Sequence, residues 1–187
     1  LFYLESHSYT EIAEILDVPM TDDMLEIARR HTPTVAERLG YANVEFRKGR
    51  IQDLALNLDL LDARLRTPPL TAPNAWLDAE RLADQLRHEQ PLVPASSVDV
   101  VVSNCVLNLV DSASNGKLFQ EIFRVPRLGG RAMISDIVSD EAVPEDMQHD
   151  PELWSGCISG ALTETEFLAA FEKAGFYGIE LVKRDAQ

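Results

Sequence analysis

The sequence predicts an α/β protein built on a doubly wound parallel sheet, and three observations carry that prediction. Residues 98–102, Val98-Asp99-Val100-Val101-Val102, are short, β-branched and almost wholly apolar, as a strand buried on both faces of a parallel sheet requires. A helical pattern and a second apolar run follow, and the order strand, helix, strand implies parallel pairing through right-handed crossovers. Directly after the first run come Ser103, Asn104 and Cys105, two hydrogen-bonding side chains and a thiol at a strand's carboxyl end. Open α/β sheets bind their ligands there.

Residues 1–19 open the chain as a short amphipathic helix. Ser8 caps it, Glu11 completes a capping box, and Ile12, Ile15 and Leu16 share one face that stops before Pro19. The string Ser8-Tyr9-Thr10-Glu11-Ile12-Ala13-Glu14-Ile15-Leu16-Asp17-Val18-Pro19 resembles the first helix of the helix-turn-helix of bacterial sigma factors. Thr21-Asp22-Asp23-Met24-Leu25-Glu26 then stands where a basic recognition helix would enter the major groove. An acidic helix start faces phosphate poorly, so a packing helix is expected and DNA binding is not.

Thr21, Asp22 and Asp23 start a second helix, with Met24, Leu25, Ile27, Ala28 and Leu39 as a core-facing stripe, broken or bent near Pro33. Residues 43–51 alternate apolar and polar and read as a strand ending in Gln52-Asp53. Residues 59–90 form a long connection with Pro68-Pro69, Pro73 and a helical pattern through Trp76, Leu77, Leu82 and Leu86, in which Trp76 serves core or lid packing. After the central strand, Leu118, Ile122 and Phe123 form a helical face that Leu128-Gly129-Gly130 ends. Residues 131–138 make another buried strand. Residues 144–154 are loop and short helix, and Ser155-Gly156-Cys157-Ile158-Ser159-Gly160 is a flexible turn holding the second thiol. Thr163 caps a last helix with Glu166 three residues on, Phe167, Leu168 and Phe171 pack inward, and residues 178–182 close the chain as a strand.

At 187 residues, 45% hydrophobic and 26% charged, the chain suits one domain with a full core. A formal charge of −14 repels nucleic acid and anionic lipid alike. No apolar run approaches the roughly 20 residues that span a bilayer, and no charged-then-apolar leader opens the chain, so a cytoplasmic location is expected. The two cysteines then read as free thiols. The chain opens on Leu1, so its start is expected upstream.

Cys105 and Cys157 are candidates to bring two soft thiolates over one cleft, and such ligands select thiophilic centres. By spacing alone, Cys105 as a small buried hydrophobe and Cys157 as an incidental loop residue is the simpler account. No CxxC or His-rich spacing suggests zinc. His7, His31, His88 and His149 are scattered, and no Ser-His-Asp order or carboxylate pair supports a hydrolase.

Several strings are specific. They are Met20-Thr21-Asp22-Asp23-Met24-Leu25, Asn43-Val44-Glu45-Phe46-Arg47-Lys48-Gly49-Arg50-Ile51, Ser103-Asn104-Cys105-Val106-Leu107-Asn108-Leu109, Gly129-Gly130-Arg131, Ile134-Ser135-Asp136-Ile137 and Trp154-Ser155-Gly156-Cys157-Ile158-Ser159-Gly160-Ala161-Leu162. Through them residues 20–184 resemble the bacterial arsenite methyltransferases, which transfer a methyl group from S-adenosyl-L-methionine to trivalent arsenic. The resemblance implies a partial methyltransferase domain over residues 20–187, joined to a sigma-factor-like segment at residues 1–19. It implies a Rossmann-like class I sheet that is incomplete. The family's first strand and its turn of the form Asp-Leu-Gly-x-Gly-x-Gly have no counterpart in this chain, and Pro19 stands where an acidic residue would hold the ribose.

The resemblance further implies that Cys105 and Cys157 bind As(III) as thiolates and carry the catalysis. Ile51 and Gln52 would frame the adenine, with Ser103 and Asn104 under the methionine and sulfonium; Gln52 and Ser103 read equally well as plain strand-end caps. Arsenite or its thiol conjugate is the implied substrate and an external thiol the reductant. A sheet without its first strand exposes an edge and part of a face, so a homodimer or marginal stability is expected. A non-catalytic module that binds As(III) through the two thiols is the alternative function.

Overall fold

Leu118, Phe119 and Ile122 recur at helical spacing, and the helix they specify anchors the molecule. In the computed structural model, which describes residues 22–66 and 75–184, that helix is α4 (Asn115–Arg124). Ahead of it lie α1 (Asp22–Leu39), α2 (Leu58–Leu65), α3 (Ala75–Glu89) and β1 (Val98–Asn104). Behind it follow β2 (Pro126–Ser135), α5 (Glu145–Gln148), α6 (Pro151–Ser155) and α7 (Glu164–Ala174). The predicted helix at residues 8–16 lies outside the described residues.

β1 and β2 pair in parallel, Val100 opposite Arg131, Val102 opposite Met133 and Asn104 opposite Ser135, with a bulge between Val98 and Val100. The parallel pairing agrees with the strand, helix, strand order. Alternation then assigns the two faces. Val101, Ala132 and Ile134 pack against a core of Leu118, Phe119, Ile122, Val125 and Phe171 supplied by α4 and α7. Ring contacts extend this core, Phe119 to Phe171 at 4.8 Å and Phe171 to Phe176 at 5.4 Å, both edge to face. α7 starts as the sequence indicates: Thr163 Oγ1 accepts from the Glu166 N–H, and the Glu166 carboxylate accepts from the Thr163 N–H at 3.0 Å.

Several expectations need correction. β1 is not buried on both faces, since Val102 is 41% exposed and its partner Met133 52%. A strand is covered on both sides only when both faces of its sheet carry layers, and the described residues put α4 and α7 on one face. Residues 131–138 likewise alternate between half-buried and exposed. Residues 43–51 and 178–182 form no strand, because a strand exists only through a ladder partner. Within the first segment the described residues hold only isolated bridge positions, among them Arg50 to Asp53, and the second leaves Leu181 and Val182 exposed. Leu128-Gly129-Gly130 does not end α4, which closes at Val125; these residues lie inside β2. In α1 only Leu25 is buried, Met24, Ile27 and Leu39 are exposed, and the helix runs unbroken through Pro33. Trp76 is 61% exposed and packs neither core nor lid.

α2 and α3 make a second, smaller core of Leu56, Ala83 and Leu86. It is tied to the turn at Gln52 by Arg87, whose Nη2 and Nε donate to Asp53 Oδ2 at 2.8 and 3.1 Å. Leu92 N–H to Ala55 O and Val93 N–H to Leu54 O, at 3.0 and 2.9 Å, join that turn to the segment entering β1. Gln52 is thereby held beside the main core, in which Ile51 is buried.

Candidate active site

β1 ends in Asn104, and the next residue turns the chain sharply. Cys105 has φ +52°, and its N–H still donates to Ser135 O at 2.8 Å, so the ladder with β2 persists until the thiol-bearing residue leaves it. Cys157, 52 positions on, has φ +62°. Among the described non-glycine residues only these two and Ser96 adopt a positive φ. Such a backbone costs an L-residue about 1 kcal/mol that glycine would avoid. Both cysteines stand in this strained conformation.

The structure brings them together. Cys157 is buried, and its Sγ donates to the carbonyl oxygen of Cys105 at 3.2 Å. Cys105 is exposed, so one thiol lies at the surface and the other beneath it. Neither is in a disulfide. Desolvation first, and the Asp136 carboxylate second, push both thiols above the ordinary value of 9.0; Cys105 adds a smaller push on Cys157. Cys105 is exposed as a residue, so its desolvation is only partial.

Two residues that sequence reasoning did not single out organise the pair. Asp136, just past β2, accepts from the N–H groups of Leu107 and Ile137, each at 2.9 Å. Burial raises its pKa against those hydrogen bonds. Asn108, 3% exposed, donates to the carbonyls of Ile137 at 2.7 Å and Cys157 at 3.2 Å. The sequence held a signal for each, a polar residue inside or just after an apolar run, and a buried polar group needs partners.

Of the proposed cofactor-binding residues, Ser103 is 6% exposed on the core side of β1 and its Oγ has no hydrogen-bond partner. Gln52 Oε1 is likewise buried and unpartnered. Unsatisfied buried polar atoms are rare in folded proteins, and a ligand is one way to satisfy them. Asn104 is exposed beside Cys105, within 3.9 Å of its sulfur. Ile51 is 5% exposed and forms apolar wall, not open contact surface. The structure thus joins Cys105, Cys157 and Asn104 in one locality at the end of β1, with Ser103 immediately before them. Ile51 and Gln52 stand on the separate turn that Arg87 holds. Among the described residues no group of three or more His, Cys, Asp or Glu could hold a metal ion. No helix there is long and apolar enough to cross a membrane.

The model of a family described as a methyltransferase domain matches residues 4–175. An arsenite methyltransferase of Aquipseudomonas alcaligenes is 31% identical over 169 residues, 90% of this chain and 38% of its own length. That of Halobacterium salinarum is 41% identical over 93 residues, 50% of this chain and 23% of its own. Among solved structures, an arsenic(III) S-adenosylmethionine methyltransferase from Chlamydomonas reinhardtii is 26% identical, with a TM-score of 0.55, over 83% of this chain and 41% of that one. The chain spans about two-fifths or less of the length of these relatives.

Proposed function

The chain belongs to the family of methyltransferase domains, with a Rossmann-like class I fold, and on that premise we propose that it takes part in S-adenosyl-L-methionine-dependent methylation of trivalent arsenic. The observation that carries the proposal is the contact between Cys157 Sγ and the Cys105 carbonyl, which joins two thiols distant in sequence at the ligand-binding end of a parallel sheet. Names of the relatives support the substrate; the chemistry of paired soft donors supports it independently.

The residues present fit the cofactor at two points. Gln52 Oε1 is a buried acceptor suited to an exocyclic amino group, and Ser103 Oγ a buried hydroxyl suited to the methionine end. Bound S-adenosyl-L-methionine supplies an activated methyl group on a sulfonium. Cys105 and Cys157 hold arsenic with its lone pair free, and the turn around Asn108 orients the pair. Orientation and exclusion of water are the main contributions of such a site. Arsenic ligated by sulfur has no proton to lose, so no general base is required. An external thiol serves as reductant and as the carrier of arsenite.

Calorimetric titration with S-adenosylhomocysteine, with and without As(III) under reducing conditions, tests the proposal. Micromolar binding strengthened by As(III) supports it. Arsenite binding that needs both cysteines, with no heat from the nucleoside, replaces it with the second reading, a thiol module that captures As(III) without turnover. Self-association belongs to the same proposal, because among the described residues Val102 and Met133 leave exposed apolar surface on one sheet face. A concentration-independent monomer in sedimentation removes that part.

A further inference from the structure

Asn108 spends its whole side-chain donor capacity on two other segments. Nδ2 carries two hydrogens, and they go to Ile137 O at 2.7 Å and Cys157 O at 3.2 Å. Its own backbone lies in a one-turn helix, Leu107–Leu109, that begins two residues after Cys105. One buried amide therefore connects the segment of the exposed thiol to the peptide of the buried one, and both to the exit of β2. The main chain repeats the connection. Gly160 approaches the same turn so closely that a Cβ there would overlap the Asn108 carbonyl oxygen. Leu107 N–H, one residue earlier, is held by Asp136, so the turn has no slack on that side.

Nothing in packing alone demands an amide. An apolar residue of similar volume would fill the space and leave two carbonyls to find other partners, whereas asparagine sets how far the Cys157 turn stands from the Cys105 turn. We propose that Asn108 is a positioning residue that sets the separation of the two sulfur atoms and so selects ligands that take both thiols at once; this rests on the reading of Cys105 and Cys157 as one As(III) site. The ligand class is a trivalent arsenical with two exchangeable oxygen positions. Capture is a condensation without redox change: both As–O bonds of an arsenic oxide give way to two As–S bonds, and the two thiol protons leave with the oxygen as water. A single thiol cannot complete that exchange.

The test uses the full chain, phenylarsine oxide as the dithiol probe and a monofunctional maleimide as the single-thiol probe, with Asn108→Ala beside the unaltered protein. The unaltered chain is expected to hold one equivalent of phenylarsine oxide against excess monothiol and to lose that hold in Cys105→Ser or Cys157→Ser. Asn108→Ala is expected to weaken capture by about tenfold or more. Maleimide should still modify the exposed Cys105 at an unchanged rate, with the helical circular dichroism preserved, a combination that a merely structural role would not give. Capture by Asn108→Ala equal to that of the unaltered chain overturns the proposal. If the truncation unfolds the chain, Asn108→Asp, which keeps the volume but loses the donors, decides by the same comparison. Unfolding by both overturns it as well, because Asn108 would then serve the fold and not the thiol spacing. Capture by the unaltered chain without methyl transfer rejects only the catalytic reading, and failure of the unaltered chain to capture rejects the shared site and this proposal together.

Discussion

Cys105 and Cys157 are each placed by a backbone that most residues avoid. If Cys105 served only as a small hydrophobe, glycine would relieve about 1 kcal/mol of left-handed strain and return a similar amount through the flexibility of the unfolded chain. Cys105→Gly is therefore expected to lie within about 1 kcal/mol of the unaltered stability by urea unfolding, while dithiol capture is lost. A large destabilisation would make the thiol a packing group after all. The thiols also share an electrostatic setting. Desolvation and then Asp136 raise both above 9.0, so the protonated form persists at neutral pH and alkylation should reach half its maximal rate only above that value. Asp136→Asn removes a negative charge, favours the thiolates and should move that midpoint down for both cysteines, read by iodoacetamide rates across pH. A midpoint that stays put would leave desolvation as the whole cause.

Elements were legible where a local rule and a tertiary partner agreed. The apolar run at 98–102 became β1, the spacing of Leu118 and Ile122 became α4, and the Thr163 and Glu166 pair became a capping box. Residues 43–51 had the alternation of a strand but form no continuous ladder with the described residues, and alternation alone cannot supply hydrogen bonds. Trp76 and the stripe on α1 looked like core because they are apolar, yet apolar atoms contribute much of any protein surface. In the site the two thiols could be named from sequence. Their meeting was open from spacing alone and implied only by the resemblance; the means of it, Asn108 and Gly160 bringing residues 105 and 157 together, was not legible. The capping box gives an element-scale expectation: Thr163→Ala should cost about 1 kcal/mol at neutral pH, measured by thermal or urea unfolding. Hydrogen bonds from the Thr163 side chain and N–H hold the Glu166 pKa below 4.5. That contribution is present above 4.5 and lost as pH falls through the lower folded value, so the penalty should shrink in acid.

At the scale of the molecule, the described residues concentrate burial in one core beneath one face of a two-stranded sheet, with a smaller cluster between α2 and α3. Ile122 is completely buried in the larger core. Ile122→Ala should cost about 2–5 kcal/mol in urea unfolding and reduce arsenical capture only in proportion to the unfolded fraction. By contrast, a change in the smaller cluster, such as Leu86→Ala, should disturb the turn of Gln52 through Arg87 and leave the thiols alone. On the proposed assignment the Gln52 turn and the two thiols are supported by different parts of the chain, so loss of nucleoside binding through that turn and loss of dithiol capture are expected to be separable.

The most direct test of the central claim is transfer of labelled methyl from S-adenosyl-L-methionine to arsenite by the purified chain with a thiol reductant, alongside Cys105→Ser and Cys157→Ser. Methylated arsenic from the unaltered chain, and its loss in either variant, is the expected result. Methylation that survives both substitutions, or no methylation by a chain shown to bind both ligands, would contradict it.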